Sequence, residues 1–249
     1  MIDDERAVSE VLGYVLVIGL VTVTVAVVMT VGISGLEASQ QSERTNNVER
    51  AFDVMAHNFE TSFKRGAPSR ATEIRLAGGE ISYGDTVTIN VTQNGEVIEN
   101  RTIETVPIVY DDQSGTRIVY EGGALIREDE DRSVMLRPPY FILDEEDVVI
   151  TGVRTRPRGG TVTLVEGPGT VLLNSEGLPA STAQGSAADG PINVTVESPR
   201  AMAWERYFER QETGNVRFDD EEQVTYEIDS SEYETVSVVR ALIRISLFE

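Results

Sequence analysis

The stretch MIDDERAVSEVLGYVLVIGLVTVTVAVVMTVGISGL (residues 1–36) separates the chain into an apolar and a polar part. Charged residues crowd positions 3–6, Glu10 carries one more charge, and the run from Val11 to Leu36 carries none. As a helix this run is about 39 Å long, against roughly 30 Å for the hydrocarbon core of a bilayer. Since the run is apolar on every face, it fits the core helix of a soluble protein poorly. We therefore predict a transmembrane helix over residues 8–36.

A removable secretory signal is the main alternative, and its apolar region is usually only about 7–15 residues long. Arg6 is the only basic residue before the span, and no later stretch is long enough to cross a bilayer. The simplest topology places the N-terminus inside and the C-terminus outside. We expect a single-pass protein of the cell membrane, in contact with membrane lipid, with an extracellular C-terminal domain.

The charge balance restricts the possible partners. The chain has 42 acidic and 21 basic residues and a formal charge of −21, and Lys64 is its only lysine. Nucleic acid is excluded as a partner because its phosphates would be repelled. Cysteine is absent, which excludes disulfides and thiolate-bound metals. An acidic, lysine-poor composition of this kind resembles that of haloarchaeal proteins, whose surfaces are screened by concentrated salt.

A second helical pattern follows the span. An apolar stripe recurs at intervals of three and four residues, and its members are Val48, Phe52, Met55, Phe59 and Phe63. We predict an amphipathic stalk helix over residues 37–66, ended by Gly66. The polar segment EASQQSERTNN (37–47) is either part of this helix or a flexible neck.

Residues 67–249 form the predicted extracellular, β-rich domain. Alternating runs predict strands at 85–92, 96–104, 116–120, 133–137, 148–155, 161–165, 170–173, 192–197 and 234–248. Asn94-Gly95 predicts a tight hairpin turn, and the small polar residues of 174–190 predict a loop. One helix is predicted within 198–214, capped by Ser198 and ended by Gly214, with Trp204 as a core anchor. The fold class is α+β, with an antiparallel, sandwich-like domain.

The sequence RAVSEVLG (6–13) before the apolar run resembles the class III signal of archaeal type IV pilins. The resemblance implies a leader of residues 1–7, cut between Ala7 and Val8 by a prepilin peptidase that leaves the apolar helix in place. Haloarchaeal pilins commonly have proline where this chain has Glu10. The blocks at 46–60, 65–76, 107–110 and 198–208 resemble a haloarchaeal family of pilin-like (flagellin-like), single-span surface proteins of unknown function.

Little in the sequence points to catalysis. The acidic runs at 127–131, 144–147 and 219–222 lack the spacing of an EF-hand loop, although calcium binding by one of them stays an alternative. His57 is the only histidine, and nucleophile elbows and phosphate loops are missing. We predict neither an enzyme nor a bound cofactor or metal.

Three N-glycosylation sequons begin at Asn90, Asn100 and Asn193. Asn90 and Asn193 fall on the polar face of their predicted strands, where a glycan would meet solvent. Together these features predict a membrane-anchored, pilin-like structural or interaction protein of the haloarchaeal envelope. Its partners would be like subunits or other envelope proteins, and whether it assembles is left open. A non-assembling adhesion module and an enzyme on the exported face are the alternatives.

Overall fold

The computed structural model describes residues 3–66, 69–93, 96–112, 114–130, 132–143, 148–160, 162–186, 190–228, 233 and 235–248. Helix α1 covers Asp3–Arg65 and helix α2 covers Ala201–Phe208. The strands are β1 Ser69–Arg75, β2 Glu80–Tyr83, β3 Val87–Gln93, β4 Glu96–Thr105, β5 Ile108–Asp111, β6 Thr116–Glu121, β7 Ala124–Asp129, β8 Arg132–Arg137, β9 Tyr140–Leu143, β10 Val148–Pro157, β11 Leu164–Glu166, β12 Thr170–Ser186, β13 Ile192–Glu197, β14 Gly214–Asp220, β15 Gln223–Ile228 and β16 Thr235–Phe248.

The chain divides into two compact units, Met1–Asn46 and Asn47–Glu249. The described part of the first unit, from Asp3 onward, is a single helical segment. The polar segment 37–47 is helical, so α1 runs without interruption from Asp3 to Arg65. Gly66 follows with φ of +68°, the left-handed conformation in which glycine commonly ends a helix. The predicted end of the helix is therefore confirmed.

Within the second unit, the predicted apolar stripe of α1 is buried except at Phe63, which is half-buried against the same core. Val48, Phe52, Met55 and Phe59 have at most 2% of their surface exposed. Polar contacts fix the same segment, since the Arg137 guanidinium donates to Asp53 at 2.8 Å and to Glu60 at 2.9 Å. Burial of the stripe attaches this part of the helix to the β-sheets.

The strands of the described part of the chain form three sheets. Sheet A has the order β1-β12-β16-β10-β9, sheet B has the order β11-β2-β5-β6-β7-β8, and sheet C has the order β14-β15-β13-β3-β4. The described pairings are antiparallel except that β10 and β16 run parallel, from Val148 opposite Val236 to Pro157 opposite Ile245. The antiparallel arrangement that we expected is therefore confirmed for the described pairings other than this central pair.

The parallel pair β10–β16 serves two hydrophobic cores, one on each face of sheet A. On the first face, the early residues Val148 and Ile150 of β10, with Val236 and Val238 of β16, enter a core with sheet C and α2. On the opposite face, the later residues Ile243, Ile245 and Leu247 of β16, with Val153 of β10, enter a core with α1 and sheet B. The first face is covered by a core only along the early half of the pair.

Other expectations differ from the structure. Residues 174–186, predicted as part of a loop, belong to the long strand β12, which pairs with β16 as far as Ser186 opposite Thr235. Helix α2 ends at Phe208 rather than near Gly214, which instead begins β14. The cap of α2 is Arg200, whose backbone N–H donates to the Ser198 hydroxyl at 3.1 Å. The predicted strand at 161–165 corresponds to β11 in part, and the Asn94-Gly95 turn lies outside the described residues.

A buried carboxylate joins the β6–β7 hairpin to α2. The side chain of Glu121 is fully buried, and its Oε1 accepts hydrogen bonds from the Ser198 hydroxyl and from Trp204 Nε1, both at 2.8 Å. Its Oε2 accepts from Arg200 Nε at 2.7 Å. Trp204 is fully buried, as predicted, and the donor on its ring also orients the carboxylate. We call Glu121, Ser198, Arg200 and Trp204 the Glu121 lock.

The Glu121 lock generates a stability prediction. Arg200→Met removes the cationic partner and leaves a buried carboxylate unpaired, so we expect the free energy of unfolding to fall by about 3–5 kcal/mol. Glu121→Leu combined with Arg200→Met leaves no carboxylate at position 121, whereas Glu128, which lies 3.7 Å from Arg200, loses its cation in both variants. We expect the double variant to be the more stable of the two. Denaturant unfolding of the full chain in detergent measures both.

Arg132→Gln is the matched control, because Arg132 is exposed on β8 and its loss should change stability by less than about 0.5 kcal/mol. A single variant as stable as the control, or a double variant less stable than the single, would contradict this role for the lock.

Candidate functional site

The first candidate is the apolar part of α1. Among the described residues, the stretch Leu12–Arg65 is long and apolar enough to cross a membrane, with mean hydropathy 2.6 in its most apolar window and none of that window buried. The hydroxyls of Thr22, Thr24 and Thr30 donate to the carbonyl four residues earlier at 2.8–2.9 Å. These bonds satisfy the threonine hydroxyls within the helix, so the segment exposes an almost wholly apolar surface.

The glycines of this segment leave open positions on its surface. A side chain at Gly13, Gly19, Gly32 or Gly35 would meet no atom within 4 Å. Small residues of this kind let neighbouring helices approach closely in a membrane. The proposed cleavage position, between Ala7 and Val8, lies within helix α1, and the side chains of residues 1–11 lie outside the described part.

The sequons that begin at Asn90 and Asn193 lie side by side on sheet C. In the antiparallel pairing of β3 with β13, Asn90 is opposite Thr195, Val91 is opposite Val194 and Thr92 is opposite Asn193. The two Asn-Val-Thr motifs therefore pair with each other along their whole length. Asn90 and Asn193 are therefore diagonal neighbours across the two strands, which places them about 7–8 Å apart on one face of the sheet.

The burial pattern shows which way these side chains point. Val91 and Val194 are fully buried in the core, whereas Asn90 and Asn193 are half-buried on the opposite, outer face of sheet C. Asn193 Oδ1 is buried and has no hydrogen-bond partner among the described residues. The third sequon reaches the same face, because Thr102 of β4 is opposite Asn90. The side chain of Asn100 lies outside the described part.

The acidic runs do not converge on a metal site in the described part of the chain, where no group of three or more metal-ligating side chains is found. Run 127–131 contributes Arg127, Glu128 and Asp129 to β7, and Arg127 pairs with Asp129 at 2.7 Å and with Glu49 at 2.9 Å. Run 219–222 spans the end of β14 and the turn that follows, and run 144–147 lies outside the described residues. His57 is 64% exposed, with its Nδ1 3.7 Å from Glu60.

An open pocket of about 440 Å³ lies on sheet B, lined by Glu80, Asp111, Gly115, Arg117, Glu128 and Glu130. Arg117 pairs with Asp111 at 2.9 Å, and the Asp111 hydrogen bond raises the pKa of the Arg117 guanidinium. Of the residues that line the pocket, four are carboxylates and one, Arg117, is a cation that already pairs with Asp111.

The Glu121 lock was missed as a site, although its parts are visible in the sequence. In TRIVYEGGALI (116–126) a single carboxylate interrupts an apolar strand just before a Gly-Gly turn. A charge inside such a run requires a buried partner. The sequence does not identify that partner, because Ser198, Arg200 and Trp204 follow about eighty residues later, at sequence separations of 77, 79 and 83.

Comparison with known proteins places the chain in a family. No curated protein matches the sequence, and no solved structure matches it. The model of one family of unknown function, DUF7289, matches residues 6–246. That match spans the helix α1 and the β domain alike. The chain therefore belongs to this family of unknown function.

Proposed function

We propose that the chain is a membrane-anchored, pilin-like structural or interaction protein of a haloarchaeal cell envelope. One observation carries the proposal. In the first unit, the apolar side chains from Leu12 to Leu36 are exposed on all sides of the helix. Exposed apolar surface of this extent is unfavourable in water, and it is covered either by lipid or by other helices.

The sequence at the start of α1 makes the proposal specific. RAVSEVLG has the form of a prepilin signal, and cleavage between Ala7 and Val8 would remove the charged leader and keep the anchor. The mature helix would then begin with a free amino group, close to Glu10 in sequence. Prepilin peptidase is the processing partner that this proposal requires.

The second unit supports an exported location by its composition and surface. The acidic, cysteine-free domain needs no disulfides, since about 200 residues can bury a core without them. The outer face of sheet C carries two paired sequons, and we propose that Asn90 and Asn193 are glycosylated there. Asn100 is the third candidate. Glycans at these positions would cover this face and leave the outer faces of sheets A and B for contacts with other proteins.

The proposed processing predicts the N-terminus of the native protein. The chain in the membrane fraction of cells with an active prepilin peptidase should begin at Val8, as read by N-terminal sequencing or peptide mass spectrometry. Replacing Arg6 and Ala7 together should leave the leader uncleaved, whereas Arg44→Gln should not affect cleavage. A chain that starts at Met1 or Ile2 in such cells, or a soluble chain that starts near residue 37, contradicts the proposal.

The proposed glycosylation predicts mass additions on the peptides that carry Asn90 and Asn193. Thr92→Val should abolish the addition at Asn90, and Thr195→Val should abolish the one at Asn193, because each removes the hydroxyl that the sequon requires. Thr88→Val is the matched control, since Thr88 lies on the same face of β3 but in no sequon. Unmodified asparagine at both positions in the native membrane fraction would rule out the glycosylated face.

A further inference from the structure

Sheet A presents a cluster of arginines where the first face is not covered by a core. Arg154 and Arg156 follow Gly152 on this face of β10, and Arg240 and Arg244 follow Val238 on the same face of β16. We call these four residues the arginine face. Arg156 is directly opposite Arg244 in the parallel pairing. Like charges directly opposite each other are destabilising in a sheet, and Glu176 of β12, directly opposite Arg244 on its other side, balances only part of this charge.

The charges of the arginine face are only partly balanced within the chain. Arg154 donates to the backbone carbonyl of Glu104 at 3.2 Å, and Arg156 lies 3.6 Å from the Glu104 carboxylate. Burial, followed by the neighbouring charges of Arg156 and Arg240, lowers the pKa of the Arg154 guanidinium. Within the described part of the chain, no carboxylate lies within ion-pair distance of Arg240 or Arg244. A cationic surface thus persists on a chain whose formal charge is −21.

Apolar side chains accompany the arginines on this face. Leu242 of β16 is opposite Leu178 of β12, and both are half-buried between the charged rows. Further along the pairing, Phe248 is opposite Leu172, and their exposed fractions are 47% and 39%. The combination of arginine with exposed aromatic and aliphatic side chains is characteristic of protein interfaces.

Sheet B carries the complementary surface. Its pairings align one row of side chains across neighbouring strands, from β11 to β7, and the members of the row are Glu166, Glu80, Asp111, Arg117 and Glu128. We call this set the acidic row. Arg117 pairs with Asp111, and Glu128 lies 3.7 Å from Arg200, so the excess negative charge of the row rests on Glu80 and Glu166. The adjacent row contains Leu164, which is 45% exposed, and Val109, which is half-buried.

We propose that the arginine face of one copy of this chain docks on the acidic row of a second copy. The two surfaces are complementary in charge, and each has exposed aliphatic groups beside its charges. Because they lie on different sheets, the contact is head-to-tail, and such contacts close into a ring or extend into an open chain rather than ending at a dimer. This inference rests on the proposed function in one respect, since it supplies the like subunit as the partner.

A second copy is favoured over an anionic lipid or a dissolved polyanion by the acidic row itself. Lipid headgroups would satisfy the arginines but leave the exposed Leu164 and the negative row unmatched. A second copy satisfies both surfaces with the same contact. Complementary charge of this kind selects the partner and fixes its register.

The test uses the full chain, with each copy reconstituted in its own lipid nanodisc so that helices of different copies cannot associate. The wild type should form concentration-dependent oligomers in sedimentation velocity. Arg240→Gln with Arg244→Gln removes the unpaired half of the arginine face, and Glu80→Gln with Glu166→Gln neutralises one end of the acidic row. Each double variant alone should associate at least tenfold more weakly than the wild type.

An equimolar mixture of the two double variants is the decisive sample. Each variant retains one intact surface, so the mixture should form a 1:1 complex and nothing larger, which also shows that both variants are folded. Arg75→Gln with Arg132→Gln is the matched control, because both arginines are exposed on edge strands and make no ion pair within the described residues. It should associate like the wild type.

Three results would overturn the proposal. These are a monomeric wild type, arginine-face variants that associate as strongly as the wild type, and a mixture that forms no complex. Binding of the wild type to phosphatidylglycerol vesicles that depends on Arg240 and Arg244, without self-association, would assign the face to lipid instead. The N-terminus is read separately from the same preparations, so a failure of this contact is distinguishable from a failure of the pilin-like assignment.

Discussion

In the β domain the parallel strands β10 and β16 supply side chains to two cores that lie on opposite faces of one sheet. The face of the pair that a core covers changes at Gly152. A Cβ at this position would clash with Ile103 of β4. Glycine is therefore required for sheet C to approach β10 at this point. Before Gly152 the pair is covered by sheet C and α2, and beyond it the opposite face is covered by α1 and sheet B. Sheet C and α2 therefore lie against one face of sheet A, and the buried part of α1 and sheet B lie against the other.

The Glu121 lock strengthens the connection between the two cores. Glu121 ends β6, whose Tyr120 packs edge-to-face with Phe59 of α1 at 5.1 Å between ring centroids. The carboxylate itself holds Trp204 and Arg200 at the start of α2. The turn that follows is formed by Gly122 and Gly123, both with positive φ, which suits a two-residue hairpin. The end of β6 thus links α1 to α2. The outer faces of the sheets are left available for contacts with other molecules.

The sequence predicts the segments whose periodicity is set by a single core. The stripe from Val48 to Phe59 and the alternation of Ile243, Ile245 and Leu247 are both visible, because each set of side chains enters one core. The parallel pairing of β10 with β16 is not predictable in this way, since it depends on a partner about ninety residues away. The second half of β12 is small and polar, and its extended form comes from backbone pairing with β16 rather than from its own propensity.

In the candidate sites too, the local motifs can be predicted from the sequence, whereas the features that depend on strand register cannot. Each sequon and the prepilin-like signal can be read as local motifs, but the pairing of one sequon with another requires the register of β3 and β13. The arginine face requires the register of β10 and β16, and in sequence its members are only alternate arginines within two strands. The surplus of acidic residues likewise hides Glu121, whose importance comes from its burial and not from its type.

If the shared strands make both cores one cooperative unit, hydrogen exchange of the full chain in detergent micelles should show it. Peptide-resolved mass spectrometry gives the opening free energies for residues 148–151 and 236–239, which contribute alternate side chains to one core, and for residues 153–157 and 241–247, which contribute side chains to the other. We expect all four segments to be the slowest to exchange and to open with the same free energy, equal to that of global unfolding. Exchange of one pair of segments while the other remains protected would show that the two cores unfold independently.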